Sequence, residues 1–503
     1  MTFRGKLSKA CQRCRDRRLK CDLKKPFCSS CIRVGERCSG YRDTNAIRID
    51  DQTDFIRAKA LARATISQNK KPKAPLKLRH LPQDLQVLGR EIFFANYVSD
   101  FSHTWDFLFS YLDPTSTPEH LSLGIDAVSL AFLSHQVGSP TAKEMGTRKY
   151  IEALRKINKV VQDPEMAAKM STLESALLLD LFEKMMVSNA QINASRHAHV
   201  EGALALVKLR GVEHFRQGPE LRALLGLSLN ATICSLSTGR AIPDEVRQIR
   251  RHAAQFIDTS HPKWRLSDCI LEVTNLPEEL RDMSPRNRVA RNASLDRRLE
   301  TVALEAGDAW SYERKFVSGH DQRAFVPDGF FPLYDVYPNR TITQMWNTLR
   351  VTRIQLCEDI IEDCAFLDDA EELQRAKQVI LEMTREICAA CPQMTNCSFA
   401  ARHKLPDGAI PNAHHTHTMS HILDVYIVIF SLYLVAWAQH CPAMAKKWAI
   451  GQLEHIADHF GIKEAANILG ILRKQQGGGT GDPWDTGPWY VYKILGSHAF
   501  AAS

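Results

Sequence analysis

From Leu81 onward, apolar residues recur at the three- and four-residue spacing of helix faces, and alternating strand patterns are scarce. The clearest face runs through Leu173, Leu177, Leu178, Leu181, Phe182, Met185 and Met186, behind Ser171 and Glu174 at capping-box spacing. Thr141 with Glu144 predicts a second helix start, and Pro219 opens a third run through Leu221, Leu224, Leu225 and Leu229. Val425 to Ala438 is apolar over 14 residues between Asp424 and Gln439, too short to span a bilayer and read as a central core helix. Breaks are expected at Pro243, at His261 with Pro262, across 318 to 340, between Pro392 and Pro411, and from Gly477 to Pro483. The 423 residues from Leu81 on therefore predict a mostly α protein, with enough chain for one large core or two ordinary ones.

Residues 1 to 80 follow another rule. Cysteines stand at 11, 14, 21, 28, 31 and 38, so a CxxC, a gap and a lone cysteine occur twice. Thiolates three apart chelate one tetrahedral zinc from a single turn, and Cys21 and Cys38 close the two halves. Two tetrahedral ions need eight ligand positions, so six thiolates suffice only if two of them bridge; by internal symmetry Cys11 and Cys28 are the candidates. Three disulfides in a secreted scaffold are the competing reading. Met1 to Ala10 is basic without an apolar signal region, which predicts a reducing compartment and favours zinc.

Charge is concentrated on the same segment. Residues 1 to 42 hold 13 Lys and Arg against 3 Asp and Glu, a formal +10, while the whole chain is +8. Two zinc ions with six thiolates would leave this module near +8. That is more than solubility needs and predicts a nucleic-acid partner. Arg13, Arg15, Arg17, Arg18 and Lys20 fall between the first and third cysteines, on a predicted helix of about two turns suited to a DNA groove. Lys24, Lys25, Arg33 and Arg37 are expected phosphate contacts.

The stretch ACQRCRDRRLKCDLKKPFCSSCIRVGERCSGY resembles the fungal binuclear zinc-cluster transcription factors. The likeness covers all six cysteines, the basic run, Asp22, Pro26 and the closing Cys-Ser-Gly-Tyr. It implies two zincs per chain with the first and fourth cysteines bridging, a nuclear regulator of RNA polymerase II transcription, and partners in double-stranded DNA and the transcription machinery. It further implies that the Arg13 to Lys20 helix reads a CGG-like triplet in the major groove. Arg18 and Lys20 sit where that family has its base-reading and phosphate-gripping lysines; Arg18 departs from lysine yet retains two donors for guanine. Asp16 also departs from the usual basic or neutral residue; on the groove side it would repel phosphate or accept from a cytosine amino group, and facing solvent, the expected case, it would do nothing. The segment HAHVEGALALVKLRG at 197 to 211 resembles a signature of the second type of fungal-specific transcription factor domain. There Ala203, Leu206 and Leu209 predict an apolar stripe, Gly202 a close helix approach and Gly211 a helix end.

The expected organisation is a zinc-cluster DNA-binding domain at 1–42, a basic linker at 43–80 and a helical regulatory domain at 81–503. The linker carries nine basic and four acidic residues, and its NKKPKAPLKLR stretch reads equally as a nuclear-import signal or a solvated tether. Ile49 and Ile56 begin no sustained heptad, because Arg63 takes the next position. Either a homodimer forms through the helical domain or the chain binds DNA as a monomer of modest specificity. No catalytic constellation competes. His199-Val200-Glu201 lacks the PCxxC that a zinc deaminase needs, and GGGTGD at 477 to 482 lacks a phosphate-loop ending. Cys388, Cys391 and Cys397 precede His403, His414, His415, His417 and His421 at irregular spacing, read as buried thiols beside a polar loop. The eight acidic residues from Glu358 to Glu372 read as a surface helix ahead of an activation segment. The expected protein is thus a nuclear DNA-binding regulator with no enzyme activity and no membrane partner; the alternative is an enzyme or scaffold that its zinc module only anchors.

Overall fold

The computed structural model describes residues 8–41, 84–101, 103–186, 192–316, 333–397, 417–476 and 487–498. The chain divides into two units, Met1–Leu81 and Pro82–Ser503. The heptad positions Ile49, Ile56 and Arg63, the basic stretch at 69–79, GGGTGD, His403, His414 and His415 lie outside the described residues. The fold is mostly α: a small N-terminal cysteine cluster followed by a helical body. Within the cluster lie two short helices, α1 (Gln12–Asp16) and α2 (Ser29–Ile32).

In the helical unit, α3 (Glu119–Val137) packs against α4 (Pro140–Val160) and α5 (Met170–Met186). The α3–α4 contact depends on Gly146, where an added Cβ would stand 3.2 Å from the Ala127 carbonyl oxygen. Both capping-box starts are displaced. The α4 cap is Ser139, whose hydroxyl accepts from Ala142 N at 3.2 Å, and Pro140 supplies the first turn, so Thr141 and Glu144 lie inside. α5 begins at Met170, and Ser171 and Glu174 are buried within it rather than capping it. Burial pushes the Glu174 carboxyl up to about 7, against the opposing hydrogen bond from Tyr111.

The buried face of α6 (Ile192–Arg210) holds Val200, Ala203, Leu204 and Val207, while Leu209 is 53% exposed. Residues 200, 203, 204 and 207 follow the true helical period, whereas the predicted stripe steps by three and drifts off the face. Gly202 meets no neighbour within 4 Å, so it mediates no close approach. Gly211 does end the helix, at φ 88°. The next helix, α7 (Gly218–Thr238), carries Pro219 in its first turn as expected.

A two-stranded antiparallel ribbon, β1 (Glu313–Phe316) and β2 (Leu333–Val336), pairs Glu313 with Val336. Beyond it, α8 (Pro285–Leu304), α9 (Arg340–Cys364) and α10 (Ala370–Ala390) share a buried ionic knot. Asp296 accepts from Arg353 Nε and from Arg375, each at 2.7 Å. The acidic stretch is absorbed here: Glu358 bonds His440, Asp363 pairs with Arg288, and Glu372 with Arg375. The apolar run near residue 430 divides into α11 (Met419–Tyr426) and α12 (Ile429–Trp437), with a turn at Val428. One stretch, 420–437, is long and apolar enough to cross a membrane, and 72% of it is buried inside the fold as core.

Candidate metal centre and nucleic-acid interface

Cys11, Cys14, Cys28, Cys31 and Cys38 are buried together, with Cys21 and Tyr41 packed against them. Their sulfurs form two groups of four, Cys11/Cys14/Cys21/Cys28 and Cys11/Cys28/Cys31/Cys38, within which all lie inside 4.8 Å. Cys11 and Cys28 belong to both. The Sγ separations are 3.8 Å for Cys11–Cys28, 3.7 Å for Cys11–Cys31 and 3.9 Å for Cys14–Cys28. A tetrahedral ion with Zn–S bonds of about 2.3 Å places its sulfurs about 3.8 Å apart, so the donor set fits zinc. Burial pushes the Cys28 thiol up and Cys11 to about 12, whereas backbone N–H groups of Cys28 and Gly40 bring Cys38 down to about 7. The two shared sulfurs are thus the ones most dependent on a cation to hold them as thiolates.

The halves repeat with an offset of 17 residues, the Cys11–Cys28 separation, and the backbone repeats with them. Cys11 and Cys28 occupy the N-cap positions of α1 and α2. Leu19 N donates to Cys14 O at 2.8 Å, and its counterpart Glu36 N donates to Cys31 O at 3.2 Å. Each half also caps the other. Asp22, after the third cysteine, accepts from Ser29 N at 3.1 Å; Ser39, after the sixth, accepts from Gln12 N at 3.3 Å. This exchange satisfies the first backbone donors of both helices and gives Asp22 a structural role. The Tyr41 hydroxyl closes the module on the Lys24 carbonyl.

The first helix is shorter than predicted, ending at Asp16 with Arg17 as its C-cap. Arg18 is left-handed at φ 50°, and its N–H donates to Arg15 O at 3.2 Å. With the Leu19 bond this forms a Schellman ending, which turns the chain so that Cys21 returns to the cluster. The equivalent residue in the second half is Gly35 at φ 69°; a second pair, Leu23 at φ 58° and Gly40 at φ 83°, repeats the relation.

Arg17, Arg18, Lys20, Lys24 and Lys25 are exposed. Arg13 instead bridges the halves: its guanidinium donates to Ser30 O at 3.4 Å and lies 3.7 Å from Glu36. Arg15 folds back on the Ala10 carbonyl and on Gln12. Asp16 takes a hydrogen bond from Gln12 at 2.9 Å and faces solvent. These inward ties were missed from sequence, although the 17-residue offset contained the signal for the caps.

Among the other chemistry-bearing residues of the helical unit, His199 and Glu201 separate, whereas Cys397, His417 and His421 bring ligand atoms within 4.8 Å of one another. His199 Nε2 contacts Glu183 at 3.0 Å, and Glu201 is exposed. Cys388 and Cys391 are fully buried core thiols.

Residues 9–46 match the family described as the fungal Zn(2)-Cys(6) binuclear cluster domain. No curated protein and no solved structure matches the chain. Residues 9–46 therefore form a fungal zinc-cluster domain, whose six cysteines fit the metal site such a domain holds.

Proposed function

We propose that this chain, whose N-terminal unit carries a fungal zinc-cluster domain, is a nuclear, sequence-specific regulator of transcription by RNA polymerase II that reads a CGG-like triplet. Cys11, Cys14, Cys21, Cys28, Cys31 and Cys38 hold two zinc ions, with Cys11 and Cys28 bridging. The observation that carries this reading is the pair of four-sulfur groups sharing two cysteines, in a module that leaves Arg17, Arg18, Lys20, Lys24 and Lys25 exposed. The metal supplies the rigidity; the residues supply the contacts. Arg18 directs a two-donor guanidinium at guanine, while Lys20, Lys24 and Lys25 grip phosphates and set the register. Arg13 and Arg15 support the module from within.

Residues 43–80 act as a basic tether, and the helical body from residue 81 regulates or positions the module, in keeping with the likeness of 197–211 to a fungal-specific regulatory domain. The test is binding of the zinc-loaded full chain to a CGG duplex and to a scrambled duplex across a salt series. Tighter CGG binding is expected, with log K falling against log salt at a slope of about −3 to −4 for some four phosphates. Equal affinity for both duplexes would leave a basic module without sequence readout and favour the anchoring alternative.

A further inference from the structure

The helical unit gathers three ligand atoms that the sequence scatters. Cys397 and His417 are 20 residues apart, and His459 lies 42 beyond His417. Cys397 follows the short helix Pro392–Thr395, His417 precedes α11, and His459 ends α13 (Ala443–His459). Cys397 Sγ is 3.5 Å from His417 Nε2 and 3.1 Å from His459 Nε2, and the two nitrogens are 3.2 Å apart.

For tetrahedral zinc with Zn–S of about 2.3 Å and Zn–N of about 2.0 Å, adjacent nitrogens stand about 3.3 Å apart and sulfur and nitrogen about 3.5 Å. The Cys397–His417 and His417–His459 edges, at 3.5 and 3.2 Å, match those values, and the Cys397–His459 edge is shorter at 3.1 Å. Hydrogen bonds among the three atoms account for the triangle less well. A protonated ring nitrogen has no lone pair left with which to accept, so protons satisfy at most two of the three edges. A cation satisfies all three.

A fourth donor stands beside them. His421 offers a ligand atom within 4.8 Å of those of Cys397 and His417. Its Nε2 lies 3.0 Å from the Met394 carbonyl oxygen, the kind of backbone partner that orients a metal-binding imidazole. Phe460 packs on His417 at a 4.2 Å ring-centroid distance and gives the site an apolar wall.

We propose that Cys397, His417 and His459, with His421 as the fourth ligand, bind a zinc ion that pins the end of helix Pro392–Thr395 and the start of α11 to the end of α13. Binding takes up the metal on one thiolate and three neutral imidazoles, and the Cys397 thiol proton leaves to solvent. The role is structural, because all four positions come from protein.

Zinc per chain, measured on the purified full chain, tests this directly. Cys397→Ser and His459→Gln should each lower the content by one ion relative to wild type; three equal contents would overturn the proposal. A second arm does not depend on how those variants fold. In a chain whose six N-terminal cysteines are all replaced by serine, added Co²⁺ should give tetrahedral visible bands with a thiolate charge-transfer band. Absence of those bands would equally refute the site, whatever the fate of the N-terminal cluster.

Discussion

Arg18 carries two separable burdens, and two substitutions divide them. Its backbone holds the left-handed turn that returns Cys21 to the cluster, at φ 50°, where the matching position of the second half is Gly35. Its side chain is exposed and is the proposed guanine reader. A non-glycine residue in the left-handed region costs roughly 1–2 kcal/mol. Glycine removes that cost but loses roughly 0.5–1 kcal/mol to backbone entropy. Arg18→Gly should therefore leave the zinc-loaded module between unchanged and about 1.5 kcal/mol more stable. Arg18→Ala keeps the strained turn and gains nothing. Both variants remove the same base contact, worth about 1–3 kcal/mol, and so should lower discrimination between CGG and scrambled duplexes by about 5- to 150-fold. Fluorescence anisotropy on the two duplexes reads the second effect, and zinc partition against a chelator reads the first. If Arg18→Gly surrenders zinc much more readily than wild type, the backbone argument is wrong. If either variant keeps the wild-type duplex ratio, Arg18 is not a base reader.

Cys28→Ala should release both zincs and unfold the module, because its sulfur belongs to both four-sulfur groups; retention of two zincs per chain would refute the bridging assignment. Asp296→Ala should destabilise the helical unit by about 3–5 kcal/mol in urea unfolding, since it strands Arg353 and Arg375 beside an emptied site. A change within error would mean that Glu300 and Glu372 suffice as partners. Glu174→Gln tests the buried carboxyl. The folded group titrates at about 7, above its ordinary value of 4.5, so the folded state binds the extra proton and stability falls as pH rises from 4.5 to 7. The glutamine variant should then match wild type near pH 4 and exceed it by on the order of 3 kcal/mol above pH 7. An equal difference at both pH values would locate the effect in packing.

Legibility from sequence divides along a physical line. The cluster was readable because its ligands are local: three atoms within 11 residues fix one half, and repetition at an offset of 17 fixes the other. Arg18 was read as helical because propensity favours it there, yet the requirement that Cys21 reach the same metals as Cys11 forces the turn that a glycine would normally supply. Helix existence was likewise legible, and so was the start marked by Pro219, whereas the two capping-box starts were not. Ser139 and Ser171 are equally good caps by composition, and only packing decides that one caps α4 while the other is buried inside α5.

The same contrast separates the N-terminal cluster from the site proposed in the helical unit. In the N-terminal unit, spacing alone implies geometry, since a CxxC delivers two sulfurs from one turn. In the helical unit the run of cysteines and histidines from 388 to 421 was irregular because it mixes two populations. Cys388 and Cys391 are buried thiols of α10 and its end, with Cys391 bonded to the Ile387 carbonyl at 3.2 Å, while Cys397 and His417 face a histidine from a helix that ends at His459. No spacing rule reaches that partner, because its position is set by how α13 packs on the core. Such a site closes loops of 20 and 42 residues, and loop-closure entropy makes a tie between distant elements more stabilising than one within a single turn. A ligand set that sequence periodicity cannot reveal would therefore also be the one from which a large helical unit gains the most.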